Sequence, residues 1–113
     1  MDHIIAAARD LGKLIAAHSR TQAFLTAAKA VNDDTTAQTA MRAYQEIAER
    51  VQRLEYEGKP IEPADKRKLA DAQAAVAGHP KLKDLSRHQA DYLELMNRVN
   101  DAIEEAVGSH SRG

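Results

Sequence analysis

Apolar residues recur every three or four positions along most of the chain, which is the spacing of one face of an α-helix. Prolines, glycines and short polar clusters interrupt this pattern and mark where helices begin and end. The stretches between them predict five helices, over about residues 2–17, 19–31, 35–57, 63–78 and 80–107. No stretch alternates between apolar and polar residues as a half-buried β-strand does. The pattern therefore predicts an all-α fold.

Local signals predict how several of these helices start and stop. Gly58 is a natural stop for the third helix, and Pro63 and Pro80 suit the first position of the fourth and fifth. His79 precedes Pro80, and we expect it to cap a helix rather than to bind a metal. Two Ser/Thr-x-x-Gln sequences predict capping boxes for the second and third helices: Ser19 with Gln22, and Thr35 with Gln38.

The third and fifth predicted helices are long, and each carries an apolar seam with spacings of three and four residues. Such seams suit knobs-into-holes packing. We therefore expect a helical bundle in which these two helices form a coiled-coil-like core. Their seam residues are the candidate interface: Tyr44, Ile47, Val51 and Leu54 on the third helix, and Tyr92, Met96, Val99 and Ile103 on the fifth.

The length of the fifth helix bears on assembly. A helix of about 28 residues is roughly 42 Å long, whereas a compact domain of this size is roughly 35 Å across. We therefore expect an elongated molecule that buries the stripe of this helix against a second copy, as a homodimer or higher homo-oligomer. The chain is predicted to be one domain over residues 1–107, followed by a flexible tail over 108–113.

Composition excludes several classes of site. The chain has 113 residues and no cysteine, so it holds no disulfide, thiolate zinc site or cysteine-bound iron–sulfur cluster. No apolar stretch approaches the length of a membrane span, and the start lacks the features of a signal peptide, so we expect a cytoplasmic protein. The net charge is −1 without a basic segment, which argues against direct nucleic-acid binding by one copy.

Candidate chemistry is sparse, and the chain is predicted to be no enzyme and to need no cofactor or metal. It contains no nucleophile elbow, phosphate-binding glycine loop or paired-histidine metal motif. Asp84, His88 and Asp91 share one face of the fifth helix and could form a metal or acid–base site, but a solvated charged face explains them as well. A second alternative is a nucleic-acid-associated protein whose assembly joins Lys66, Arg67 and Lys68 with Arg9 and Lys13 into a basic surface.

Four stretches in order resemble the YlbF/YmcA family of small bacterial helical proteins. They are an apolar helix, a segment after an acidic turn, a helix end with its glycine linker, and a Pro-containing break before a long last helix: residues 23–31, 39–45, 54–61 and 78–82. The resemblance spans about residues 4–107. It implies an all-helical, self-associating protein without a catalytic motif.

The resemblance also implies a function. Family members are similar in acting as regulators within complexes, notably with a ribonuclease, and some hold iron–sulfur clusters on cysteines that this chain lacks. We therefore expect a protein-interaction adaptor or regulator in a complex with a protein partner, affecting RNA processing through a ribonuclease complex.

Overall fold

The structure is a computed structural model that describes residues 1–112, with side chains as far as Ser109. It contains five helices: α1 (Asp2–Ala17), α2 (Ser19–Asn32), α3 (Thr35–Tyr56), α4 (Pro63–Gly78) and α5 (Pro80–Arg112). No strand occurs among these residues. The predicted all-α class and helix number are confirmed. No helix of the described chain is both long and apolar enough to span a membrane.

The chain divides into two compact units. The single domain over residues 1–107 stays a prediction. The terminal unit combines Met1–Thr26 with Ser86–Gly113, and the central unit is Ala27–Leu85. The division falls inside α2 and inside α5, so each of these helices has one end in each unit.

A single histidine separates α1 from α2, and its side chain caps the start of α2. His18 has an extended backbone, and its Nδ1 accepts a hydrogen bond from the Arg20 N–H at 3.0 Å. Ser19 is already the first helical residue, and the Gln22 side chain donates to the Ala16 carbonyl at 2.6 Å. The predicted capping box of Ser19 and Gln22 is therefore wrong, because the cap lies one residue earlier.

The second predicted capping box is also displaced by one residue. Asp34 has an extended backbone and accepts from the Ala37 N–H at 3.0 Å, so Asp34 caps α3 in place of Thr35. An aspartate is a stronger N-cap than a threonine. Gln38 does not reach back to Thr35; its side chain donates to the Val31 carbonyl at 3.1 Å.

The end of α3 and the starts of α4 and α5 follow the predictions. Gly58 adopts a φ of 70°, and the N–H groups of Gly58 and Lys59 donate to Glu55 and Leu54, which closes α3 in a Schellman motif. Pro63 begins α4. His79 caps α5 as predicted, with its Nδ1 accepting from the Lys81 N–H at 3.3 Å.

The fifth helix is longer than predicted. It continues through Gly108 and Ser109 to Arg112, because nothing in this stretch stops a helix as a proline would. Its last turns therefore occupy the segment predicted as a flexible tail. Gly113 lies outside the described residues.

A small cluster forms the core of the central unit. Val31, Ala37 and Leu82 are buried together, and half-buried apolar residues pack around them. Beside the cluster, the Lys81 ammonium donates to the carboxylate of Asp34 at 2.8 Å. Asp34 thereby links the start of α3 to the first turn of α5.

We predict opposite effects for alanine at two glycines. Gly58→Ala should destabilise the fold by about 1 kcal/mol, because a Cβ disfavours its positive φ. Gly12→Ala is the control inside α1: nothing lies near its added Cβ, so it should stabilise by about 0.5–1 kcal/mol. Urea unfolding midpoints measure both, and equal shifts of the same sign would contradict the prediction.

We predict that Asp34 makes the stability of the fold depend on pH. The hydrogen bond from Lys81, then that from the Ala37 N–H, lowers the pKa of Asp34 from 3.8 to about 2. A carboxyl group whose pKa is lowered by folding stabilises the folded chain at pH values above its ordinary pKa. This stabilisation disappears as the pH falls from about 4 to about 2. Asp34→Asn keeps a capping oxygen but loses the charge. Its melting temperature should lie below that of the wild type at pH 7, and the gap should close towards pH 2.

The neighbouring exposed Asp33 provides the matched control, because Asp33→Asn removes the same charge without touching the Asp34–Lys81 pair. An Asp33→Asn variant with the same pH profile as Asp34→Asn would contradict the assignment to that pair.

Candidate protein-interaction surface

In the central unit, α3 and α4 pack against each other. Ile47 of α3 and Ala72 of α4 are buried. The other three predicted seam residues of α3 are half-buried: Tyr44, Val51 and Leu54. Of the candidate interface on this helix, Ile47 therefore serves as core within the chain.

An ion pair joins the same two helices. The Arg50 Nε donates to the Asp65 carboxylate at 3.0 Å, and Asp65 is only 5% exposed. This hydrogen bond lowers the pKa of Asp65 against the opposing effect of burial. The other carboxylate oxygen, Oδ2, is buried without a hydrogen-bond partner among the described residues. This pair was not predicted from the sequence, because an acidic residue in a first helical turn is already explained by its favourable interaction with the helix dipole.

A groove of about 550 Å³ runs beside α3 and α4. Its apolar lining comes mainly from small side chains, and its charged lining balances two acids against two bases: Ala43, Ile47, Ala72 and Ala75, with Glu46, Asp71, Arg50 and Lys68. The charged residues that line the groove therefore carry no net charge.

In the terminal unit, α2 and α5 are joined by a ring contact and a charge network. Phe24 stacks on Tyr92 with ring centroids 5.1 Å apart. Arg20 donates to the Asp91 carbonyl at 3.3 Å, and its guanidinium lies 3.6 Å from the Glu94 carboxylate. Tyr92, a candidate interface residue, thus already has a partner within the chain.

Large apolar side chains of the terminal unit lie open to solvent. No residue of α1 is buried, and Ile4 and Leu14 are 67% and 72% exposed. On α5, Ile103 is 48% exposed and Val107 64% exposed. Met96 and Val99, two further candidates, are half-buried. These residues make the terminal unit the main exposed apolar surface of the described chain.

The structure also places the residues of the two alternative hypotheses. Lys66, Arg67 and Lys68 are exposed on α4 of the central unit, while Arg9 and Lys13 are exposed on α1 of the terminal unit. Asp84, His88 and Asp91 lie along α5. Among the described residues, no three His, Asp or Glu side chains are grouped to hold a metal ion.

The sequence model of the family described as control of competence regulator ComK, YlbF/YmcA, matches residues 4–108. The chain belongs to the YlbF/YmcA family. The resemblance inferred from the four sequence stretches is thereby confirmed. A search of curated proteins found no significant match.

A solved structure shows the same fold as this YlbF/YmcA chain. It is the X-ray crystal structure of Bacillus subtilis RicA in complex with RicF, in which one chain superposes with a TM-score of 0.82. The superposition covers 96% of each chain at 20% sequence identity.

We predict that two of the candidate residues differ in their effect on stability. Ile47→Ala should cost about 2–4 kcal/mol of unfolding free energy, because it leaves a cavity between α3 and α4. Ile103→Ala, in dilute solution, should cost less than about 1 kcal/mol, since the side chain is half open to water. Chemical denaturation measures both, and a larger loss for Ile103→Ala would contradict the assignment of Ile47 as core.

Proposed function

We propose that this chain is a non-enzymatic regulator that acts by docking its exposed apolar helix faces onto a protein partner. The observation that carries the proposal is the exposure of large aliphatic side chains on α1 and α5 of the terminal unit. Contiguous exposed apolar surface on a soluble protein marks an interaction site more often than not. Helix faces of this kind bind by burying aliphatic anchors in a complementary apolar surface.

The contacts within the chain narrow the proposed surface. Ile47 and Tyr92 are engaged inside the chain, so we assign them to the core that holds the surface in place. Met96, Val99 and Ile103 then carry the α5 part of the surface, and Ile4 is the exposed position that we assign to it on α1. Tyr44, Val51 and Leu54 are half-buried on α3, and we propose them as a secondary contact.

The family and the solved relative support a protein as the partner. The family is described by its control of a competence regulator, and the relative was solved as RicA in complex with RicF. We extend this to a proposed role in a regulatory complex that affects RNA processing through a partner ribonuclease, acting in the cytoplasm. The chain would contribute recognition to that complex, and its partner the chemistry.

The proposal is tested by affinity capture from the native host, with quantitative mass spectrometry. Ile4→Glu places a charge on the exposed apolar face of α1, and we expect it to lose the proteins that the wild type captures, because a carboxylate there must be desolvated on docking. Ala6→Glu is the matched control in the same helical turn, about 200° around the helix. It should capture the same proteins as the wild type.

Ile103→Glu extends the test to α5, and circular dichroism of each variant controls for folding. Equal capture by the wild type, Ile4→Glu and Ile103→Glu would show that the apolar surface of the terminal unit is not the docking site.

A further inference from the structure

The groove of about 550 Å³ beside α3 and α4, which we call the hairpin groove, separates its charges along its length. The two helices pack on each other and are joined by the linker of residues 57–62, so they run in opposite directions. Arg50 and Lys68 therefore lie at the end nearer the linker, and Glu46 and Asp71 lie further from it. Glu46 and Arg50 are about 6 Å apart along the axis of α3, close to one helical turn.

Arg50 is held at the hairpin groove by a buried carboxylate. Its Nε donates to Asp65 at 3.0 Å, and Asp65 is only 5% exposed while the Arg50 side chain is 55% exposed. The two terminal nitrogens of Arg50 form no hydrogen bond with any other described residue. A guanidinium carries five N–H donors in a fixed plane. Asp65 is therefore a positioning residue, and it leaves the other donors of Arg50 for an acceptor outside the chain.

The other three charged side chains of the hairpin groove have no close partner in the described part of the chain. Glu46, Lys68 and Asp71 form neither an ion pair nor a side-chain hydrogen bond there. Charged groups lose their hydration when a partner covers them, and the loss is costly unless the partner supplies the opposite charge. A protein that fills the groove must therefore bring a carboxylate to the basic end and a cation to the acidic end.

The floor of the hairpin groove is made of small side chains, which favours one shape of partner. Ala43 and Ala75 are exposed, and Ala72 is buried beside Ile47. Small contact residues let helices approach to about 8 Å between their axes. An extended segment would leave backbone N–H and C=O groups unpaired over this floor, whereas a helix pairs its own. The groove therefore fits a third α-helix with small residues on its contact face.

We propose that the hairpin groove binds one amphipathic helix of another protein, whose contact face carries small residues with an acidic and a basic side chain one turn apart. The acidic side chain lies against Arg50 and Lys68, and the basic one against Glu46 and Asp71. This groove belongs to the central unit, whereas the surface of the proposed function belongs to the terminal unit. The chain thus has separate sites for two proteins and can join them in one complex.

A displayed library of helical peptides, randomised along one face, tests the proposal on purified protein. The wild type is used for selection and Ala75→Arg for counter-selection, because an arginine there fills the floor and pairs with the acidic end. We expect enriched peptides to carry small residues, with an acidic and a basic residue three or four positions apart. Enriched peptides without that charge pair would overturn the proposal, as would a library in which no peptide distinguishes the two proteins.

The position of the site is tested by fluorescence anisotropy with one enriched, labelled peptide. Ala75→Arg should weaken binding by about tenfold or more, because it obstructs the floor. Ala70→Arg is the matched control, since it adds the same side chain to an exposed alanine about 140° around α4. It should bind the peptide as the wild type does, and circular dichroism controls for folding. Equal weakening by both variants would place the peptide elsewhere and overturn the proposal.

The role of the charges is tested by exchanging two of them on α4. The double variant Lys68→Glu, Asp71→Lys keeps the net charge but leaves one acid and one base at each end of the groove. The wild type should bind the enriched peptide about five- to tenfold more tightly than a peptide with glutamine at both charged positions. The double variant should bind the two peptides alike. A preference that survives the exchange would overturn the proposal.

Sedimentation equilibrium of the wild type and of Ala75→Arg tests whether a second copy of the chain fills the groove instead. The two should associate equally, and weaker self-association of Ala75→Arg would overturn the proposal.

The peptide measurements are independent of the capture experiment, so the two proposals can fail separately. Absent groove binding with partner capture that still depends on Ile4 overturns the hairpin-groove proposal alone. Intact groove binding with capture that is insensitive to Ile4→Glu and Ile103→Glu overturns the proposed function alone.

Discussion

The carboxylate of Asp34 joins two helices of the central unit: it caps α3 and pairs with Lys81 at the start of α5, beside the cluster of Val31, Ala37 and Leu82. These three side chains bury little apolar area compared with larger aliphatic and aromatic residues. Directional contacts therefore help to fix the end of α2 and the starts of α3 and α5, and the packed cluster lies between these helix ends.

The helices were predictable from the sequence because their ends are set by local chemistry. A proline favours the first turn of a helix, and a glycine with a positive φ favours its end, whatever the surroundings. Pro63 and Gly58 are the examples here. The caps were less predictable. Asp34 and Thr35 are adjacent residues of suitable type, and the backbone angles that select Asp34 follow from the corner as a whole. The imidazole cap of His18 had no comparable signal, because no proline follows His18 as Pro80 follows His79.

The candidate surface was predictable in part. Spacing correctly grouped the seam residues on helix faces, but it carries no information on what each face packs against. Ile47 is covered by α4 and Tyr92 by Phe24, whereas Ile103 is exposed. The ion pair between Arg50 and Asp65 depends on how α3 and α4 meet, which periodicity does not encode. Residues 108–112 include weak helix formers, which suggested a tail. No proline stops the helix there, so α5 continues past residue 107.

The connections between helices differ in how much extra chain they could accept. The breaks at His18 and His79 are one residue long, and each residue is bonded to the helices on both sides. An insertion there would rotate the next helix or remove its cap. The linker of residues 57–62 is mostly exposed, and its Schellman motif is complete at Lys59. The bond between Lys59 and Pro60 is therefore where an epitope or a fluorescent reporter could be inserted with the least effect on either unit.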